Sequence, residues 1–256
     1  MMRTLSLATG TLIVALAFSI TDAQAAGIPK AVSAAVDDSA RPEADKKADV
    51  DRKPAETVAF SGVKPGQKVV DLLPGRGYFT RIFSVVVGPK GHVYAVPPPP
   101  RPNAPEGSPA PSAAVQAIAD DAHYKNVSVI VARVNELKLP EPVDVIWTSR
   151  NYHDLHNIPN ADVPAIDKMI FDSLKPGGTF IVLDHAAEKG SGFRDTSTLH
   201  RVDPEAVKKE VEGAGFKFVG QSEVLRNPED PHTAKIFDAG VQGKTDQFIL
   251  KFTKPK

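Results

Sequence analysis

Four histidines fall at or just beyond the apolar segments in the second half of the chain. His153 and His156 lie in Asn151-Tyr-His-Asp-Leu-His-Asn157, His185 follows Asp184, and His200 lies in Thr198-Leu-His-Arg201. Imidazole and carboxylate together are a donor set that suits zinc, iron, nickel or copper. The His-x-x-His spacing lacks the helical logic of His-Glu-x-x-His, however, and convergence depends on the fold. The sequence therefore assigns no metal, and His153, His156, His185 and His200 stand only as candidates. Asp184 reads as a polar residue at the end of a strand, facing a pocket. Arg150, Arg194 and Arg201 are either the lining of an anion pocket or solvated side chains.

A second constellation lies earlier, in Val69-Val-Asp-Leu-Leu-Pro-Gly-Arg-Gly-Tyr-Phe-Thr80. It reads as a buried strand that ends in an acid, then a glycine turn, then the start of a helix. Glycine leaves room for a ligand to reach backbone N–H groups, and a helix N-terminus favours negative charge. In open α/β sheets such turns mark the ligand end of the strands.

The elements that would position both groups alternate. Pro54–Phe60 reads as a helix with proline in its first turn. A strand is expected over 68–73, a helix over 80–87, and a strand over 92–96. Eight prolines between Pro97 and Pro111 exclude helix and inner strand there and indicate a spacer. A helix over 112–123 and strands over 127–131 and 143–147 follow. Next come a helix over 163–174, a turn at Lys175-Pro-Gly-Gly178, and a strand over 179–183. A helix opens at Asp203-Pro204 with an N-cap acid followed by proline. Two final strands, over 216–225 and 246–252, suggest an antiparallel edge. The alternation predicts an α/β chain with a doubly wound, mostly parallel sheet.

Lys and Arg balance Asp and Glu at 31 each, so net charge calls for neither nucleic acid nor an anionic membrane. There are no cysteines, which excludes thiol catalysis and zinc–thiolate sites. Arg3, the interrupted apolar run up to Ile20 and Ala23-Gln24-Ala25 describe a secretory signal peptide over residues 1–25. The run is shorter than the ~20 residues that span a bilayer. The expected location is periplasmic or extracellular, with no stable membrane insertion after cleavage. Residues 26–53 are polar, lack a sustained apolar period, and read as an N-terminal extension with one short helix at most. Residues 54–256 form the main domain.

The order of these motifs resembles the class I S-adenosylmethionine (SAM) methyltransferases. It rests on Gly62-Val-Lys-Pro-Gly66, Val69-Val-Asp71 with the glycine turn, Asp144-Val-Ile146, and Leu174-Lys-Pro-Gly-Gly178. The chain is also similar to a group of secreted bacterial predicted methyltransferases, through Asn151–Asn157, Thr198–Arg201 and Gly243-Lys-Thr-Asp246. The resemblance implies a seven-stranded Rossmann-like sheet, SAM as cofactor, and a small-molecule methyl acceptor. Asp71, Gly75, Gly77 and Tyr78 take the cofactor-binding positions. His153 takes the position of the histidine that removes the acceptor's proton, with Asp154 as its orienter. The alternative for this pair is that Asp154 caps a helix and His153 packs in a wall.

The chain departs from the family pattern at three places. The first glycine of acidic-x-Gly-x-Gly-x-Gly is Leu73. Pro97 stands where an acid usually binds the ribose hydroxyls, and Arg133 where an acid usually binds the adenine amino group. Each lost hydrogen bond is worth ~1–3 kcal/mol. Two other readings stay open: an exported binding or accessory protein that keeps the fold without SAM, and a metal-dependent enzyme built on the histidines. A lid role for the Gly190–Thr198 loop also stays open, beside that of an ordinary surface loop.

Overall fold

The computed structural model describes residues 27–256, so the expected signal peptide lies outside the described residues. Two helices precede the main domain: α1 (Lys30–Val36) and α2 (Glu43–Arg52). The extension is thus more ordered than its polar sequence suggests. Val32 and Ala35 bury the inner face of α1. No residue of α2 is fully buried, and ion pairs hold it instead: Arg41 with Asp49 at 2.6 Å and Arg81 with Asp45 at 3.0 Å.

The main domain then runs α3 (Pro54–Ser61), β1 (Lys68–Leu72), α4 (Tyr78–Val87), β2 (His92–Val96), α5 (Ala113–Ala119), β3 (Val127–Val129) and β4 (Val143–Ser149). It continues with α6 (Tyr152–Leu155), α7 (Val163–Ser173), β5 (Leu174–His185), α8 (Pro204–Gly213), β6 (Lys217–Ser222) and β7 (Gln247–Thr253). The seven strands are ordered β3-β2-β1-β4-β5-β7-β6. The β3-β2-β1-β4-β5 pairs are parallel, and β7 inserts antiparallel between β5 and β6.

Successive strand residues point to opposite faces of the sheet, and the two cores divide accordingly. Val69, Val145, Trp147, Ile181 and Ile249 pack with α1, α3, α4 and α5. Val70, Leu72, Ile146, Phe180, Val182 and Leu250 pack with α6, α7 and α8. The strand β5 starts earlier than the turn residues Lys175-Pro-Gly-Gly178 suggest. Lys254 N donates to Gly178 O and Gly177 N to Lys254 O, which draws that segment into pairing with the chain end. Among the described residues no helix is long and apolar enough to cross a membrane.

Candidate functional site

The reversal of strand order between β1 and β4 opens a crevice at the carboxyl ends of the strands, as doubly wound sheets do. A cleft of about 560 Å³ occupies it. Its floor is Asp71, Leu73, Pro74, Gly75 and Arg76, its far wall is Ser149, Arg150 and Asn151, and α2 roofs it with Ala44, Asp45, Ala48 and Arg52.

The loop after β1 keeps the backbone path that glycines usually supply. Leu73 has φ +55° and Gly75 has φ +57°. A non-glycine residue in the left-handed region costs about 1–2 kcal/mol, so the surrounding contacts must enforce it. They include Leu73 N donating to Val96 O (3.0 Å) and Asn151 Nδ2 donating to Leu73 O (2.9 Å). Leu73 thus holds a left-handed backbone at the position of the first glycine in the acidic-x-Gly-x-Gly-x-Gly pattern. A Cβ added at Gly75 would meet nothing within 4 Å, which leaves this turn open toward the cleft. Gly77, expected to face a cofactor, packs inward instead. A Cβ there would stand 2.2 Å from Ile118 Cδ1, so Gly77 lets α4 sit close to α5 and does not line the cleft.

The cleft is electropositive. Arg52 lies over the Tyr78 ring at 4.5 Å and has no carboxylate within ion-pair distance among the described residues. Arg150 uses Nε to bond Gln247 Oε1 (2.8 Å). Burial, and then the nearby Arg52, pushes Arg150 down to about 10, so it stays charged at neutral pH. Asp71 offsets these charges only in part. Burial pushes its carboxyl up to about 7 against the Thr80 hydroxyl that donates to it at 2.6 Å. Tyr78 lines the cleft and donates to Asp49 Oδ1 at 2.6 Å, which ties the roof to the loop. Pro97 is buried at the end of β2, and Arg133 is exposed beside Glu136; neither lines the cleft.

The second constellation sits past β4. His153 is buried, and its Nδ1 lies 2.9 Å from Asp184 Oδ1 at the end of β5. Asp184 also accepts from the backbone N–H of His153 (2.8 Å) and of His185 (2.8 Å). The carboxylate bonded to His153 Nδ1 is therefore Asp184; Asp154, expected as the orienter, has its Oδ1 3.4 Å from Nε2 on the opposite side of the ring. The α6 N-cap is Asn151, so Asp154 is not a helix cap either. Burial works against charge on His153, yet the Asp184 carboxylate outweighs it and holds the imidazole above its ordinary pKa.

Only part of the histidine set converges. His200, with φ +56°, brings Nδ1 to 4.0 Å from Asp154 Oδ1 and its ring to 5.5 Å from that of His153. His156 instead points to Glu210 (3.0 Å) and stacks on Phe193. His185 bonds Thr245 Oγ1 at 2.7 Å, and burial pushes it down to about 3. Neither belongs to the cluster. Arg201 and Arg194 are not pocket cations. Arg201 is fully buried against Asp230, and Arg194 pairs with Asp195 and Glu188. The 190–198 loop is fastened by Asp203 Oδ2, which accepts from Gly190 N at 2.8 Å.

Behind the cluster, the Tyr152 hydroxyl lies 2.8 Å from both Asp167 Oδ2 and Glu210 Oε2. One hydroxyl has one proton to donate, so one carboxyl must bring its own. Burial assigns that proton to Asp167, whose pKa rises to about 8 and whose Oδ1 has no partner. A raised carboxyl adds stability that is complete below its unfolded value, 3.8, and is lost as pH rises through about 8. Asp167→Asn should therefore gain on the native protein as pH rises from 4 to 8, by at most about 1.4 kcal/mol per pH unit. Urea unfolding of both proteins across that window measures the difference.

Strand order, antiparallel β7 and the β1 loop together define the class I SAM-dependent methyltransferase fold. Solved structures agree. A SAM-dependent methyltransferase from Aquifex aeolicus matches at TM-score 0.57 and 20% identity, over 83% of this chain and 98% of that one. The [4+2]-cyclase SpnF matches at TM-score 0.55 and 16% identity, over 83% of this chain and 81% of that one. Among curated proteins, the chain is similar to the ubiquinone/menaquinone biosynthesis C-methyltransferase UbiE of Vibrio parahaemolyticus. The two are 26% identical over 190 residues, covering 73% of this chain and 68% of that protein. UbiE of Vibrio vulnificus is 33% identical over 129 residues, which are half of this chain and 45% of that protein. No family model matches the chain.

Proposed function

We propose that this protein is an exported SAM-dependent methyltransferase that acts on a small molecule. The observation that carries the reading is that Arg52 and Arg150, neither of them in an ion pair among the described residues, line the same cleft as the open turn at Gly75. Two guanidiniums in a partly desolvated cleft fit a carboxylate, and the open loop fits close approach of an amino-acid moiety. These residues suit the methionyl half of SAM; with Pro97 and Arg133 outside the cleft, the adenosine half has no acid at the usual positions. Bound SAM supplies an electrophilic methyl group.

The chain's own residues supply the rest. Arg52 and Arg150 bind the carboxylate, and Asn151 fixes the loop through Leu73 O. His153 accepts the acceptor's proton at Nε2 while Asp184 holds Nδ1–H and sets the tautomer. Nε2 faces the half-exposed Asp154 and His200, with the exposed Phe237 ring 5.0 Å from His200 as an apolar wall. The relatives are named for C-methylation in ubiquinone and menaquinone biosynthesis, a chemistry in which the acceptor must likewise shed a proton. Residues 1–25 would direct export, which N-terminal sequencing of the periplasmic protein checks.

Calorimetric titration with SAM and S-adenosylhomocysteine tests the binding half of the proposal. One saturable site is expected, weakened about 10- to 150-fold by Arg52→Met, the loss of one charge-assisted hydrogen bond of about 1.5–3 kcal/mol. Absence of heat from a folded protein would favour the accessory-protein reading. Two observations support that second reading: proline and arginine stand at positions 97 and 133, where acids would bind adenosine, and neither residue lines the cleft.

A further inference from the structure

We infer that His153 Nε2, Asp154 Oδ1 and His200 Nδ1 form a binding site for one divalent first-row transition-metal ion. The three donor atoms come from two separate segments, α6 and the loop before α8, and all lie within 4.8 Å of one another. A tetrahedral ion with bonds of about 2.0–2.1 Å needs donors roughly 3.3 Å apart. The Nε2–Oδ1 edge is already 3.4 Å, and the Oδ1–Nδ1 edge is 4.0 Å. Closing the site asks a shift of about an ångström or more from His200, whose side chain is 27% exposed.

A separate observation points the same way. Asp184 accepts the hydrogen bond of His153 Nδ1–H at 2.9 Å and so leaves the lone pair on Nε2, aimed at Asp154 and His200. A carboxylate behind a histidine, fixing its tautomer and raising its basicity, is the outer support that metal-binding histidines ordinarily have. Asp184 is held in turn by the backbone N–H groups of His153 and His185. His123 makes the useful contrast: it pairs with Asp38 at 2.7 Å on the surface and has no third donor within reach among the described residues.

Two imidazoles and one carboxylate select zinc, iron, nickel or copper, with cobalt as a spectroscopic substitute, over magnesium or calcium, which prefer all-oxygen sites. Three protein ligands leave at least one position open, as catalytic sites do and closed structural sites do not. The site rests on the methyltransferase reading and revises its proton acceptor: His153 Nε2 accepts the proton only in the metal-free protein, because a loaded ion takes that lone pair. An acceptor oxygen on the open position would then have its pKa lowered by the ion instead. Metal binding itself does not depend on SAM.

The test is titration of chelator-treated, full-length mature protein with Co2+ in the absence of SAM. Visible absorption is followed, with Zn2+ as competitor. The expected result is one equivalent bound per chain and displaced by Zn2+, with affinity reduced by at least about 10-fold, the lower end of what losing even an outer-shell partner costs, in His200→Ala and in Asp154→Asn. Both residues are partly exposed, so these variants should keep the native circular dichroism; His123→Ala should bind as the native protein does. No saturable binding, or binding undiminished in both folded variants, would overturn the site. S-adenosylhomocysteine titration of the same metal-free samples reports separately on the cofactor reading.

Discussion

Arg201→Ala is expected to destabilise the protein by about 3–5 kcal/mol, measured as the loss in unfolding free energy in urea. Arg201 and Asp230 are both fully buried and joined by two hydrogen bonds, of 2.7 and 3.0 Å. The same guanidinium donates to Ala186 O just past β5 and to Ala234 O. It therefore staples the 226–246 connection, which carries Phe237, to the end of the sheet that carries Asp184. Removing the cation leaves Asp230 in the interior with the Asp246 and His232 backbone N–H groups as partners, and the loss is dominated by that stranded charge. Replacing both residues, as in Arg201→Met with Asp230→Leu, should recover much of the loss, since a buried ion pair and a packed apolar pair often come out nearly equal. A small effect in the single variant would show that water reaches the pair.

In the metal-free protein, His153→Gln is expected to lower methyl transfer by about 10²–10⁴-fold with S-adenosylhomocysteine affinity unchanged. The split follows from geometry. His153 lies beyond the β4 end and does not line the cleft, whereas Arg52 and Arg150 do. Loss of cofactor binding in this variant would instead give His153 a structural role in the wall between β4 and β5. Transfer of a labelled methyl group from SAM to periplasmic small molecules, with cofactor affinity measured in parallel, separates the two.

The sheet was legible because each strand is a short apolar run bounded by turn residues, and because glycine, proline and N-cap acids mark the joints. The segment 174–178 was not legible, since its pairing partner is Lys254, far away in sequence. The roof of the cleft was equally hidden. Helix α2 has no apolar stripe; Asp45 and Asp49 hold it through Arg81, Arg41 and Tyr78, and pairing between surface-type charges leaves no periodic trace. Arg52 consequently had no sequence signal beyond standing before Lys53-Pro54.

At the candidate site the sequence put His153 at the right end of the sheet but chose its neighbour in the chain as orienter. The actual partner is 31 residues away and becomes adjacent only because β4 pairs with β5. Leu73 shows the converse. As a residue type it breaks the glycine pattern, yet its backbone occupies the left-handed region that glycine favours.

The central claim is that this cleft recognises the amino-acid half of SAM through Arg52 and Arg150. Calorimetry comparing S-adenosylhomocysteine with methylthioadenosine, which lacks the amino-acid moiety, tests it most directly. One saturable site is expected for S-adenosylhomocysteine, with affinity at least about 10-fold weaker for methylthioadenosine, the loss of a charge-assisted hydrogen bond or more. Equal affinity for the two ligands, or no binding of S-adenosylhomocysteine to the folded protein, would contradict it.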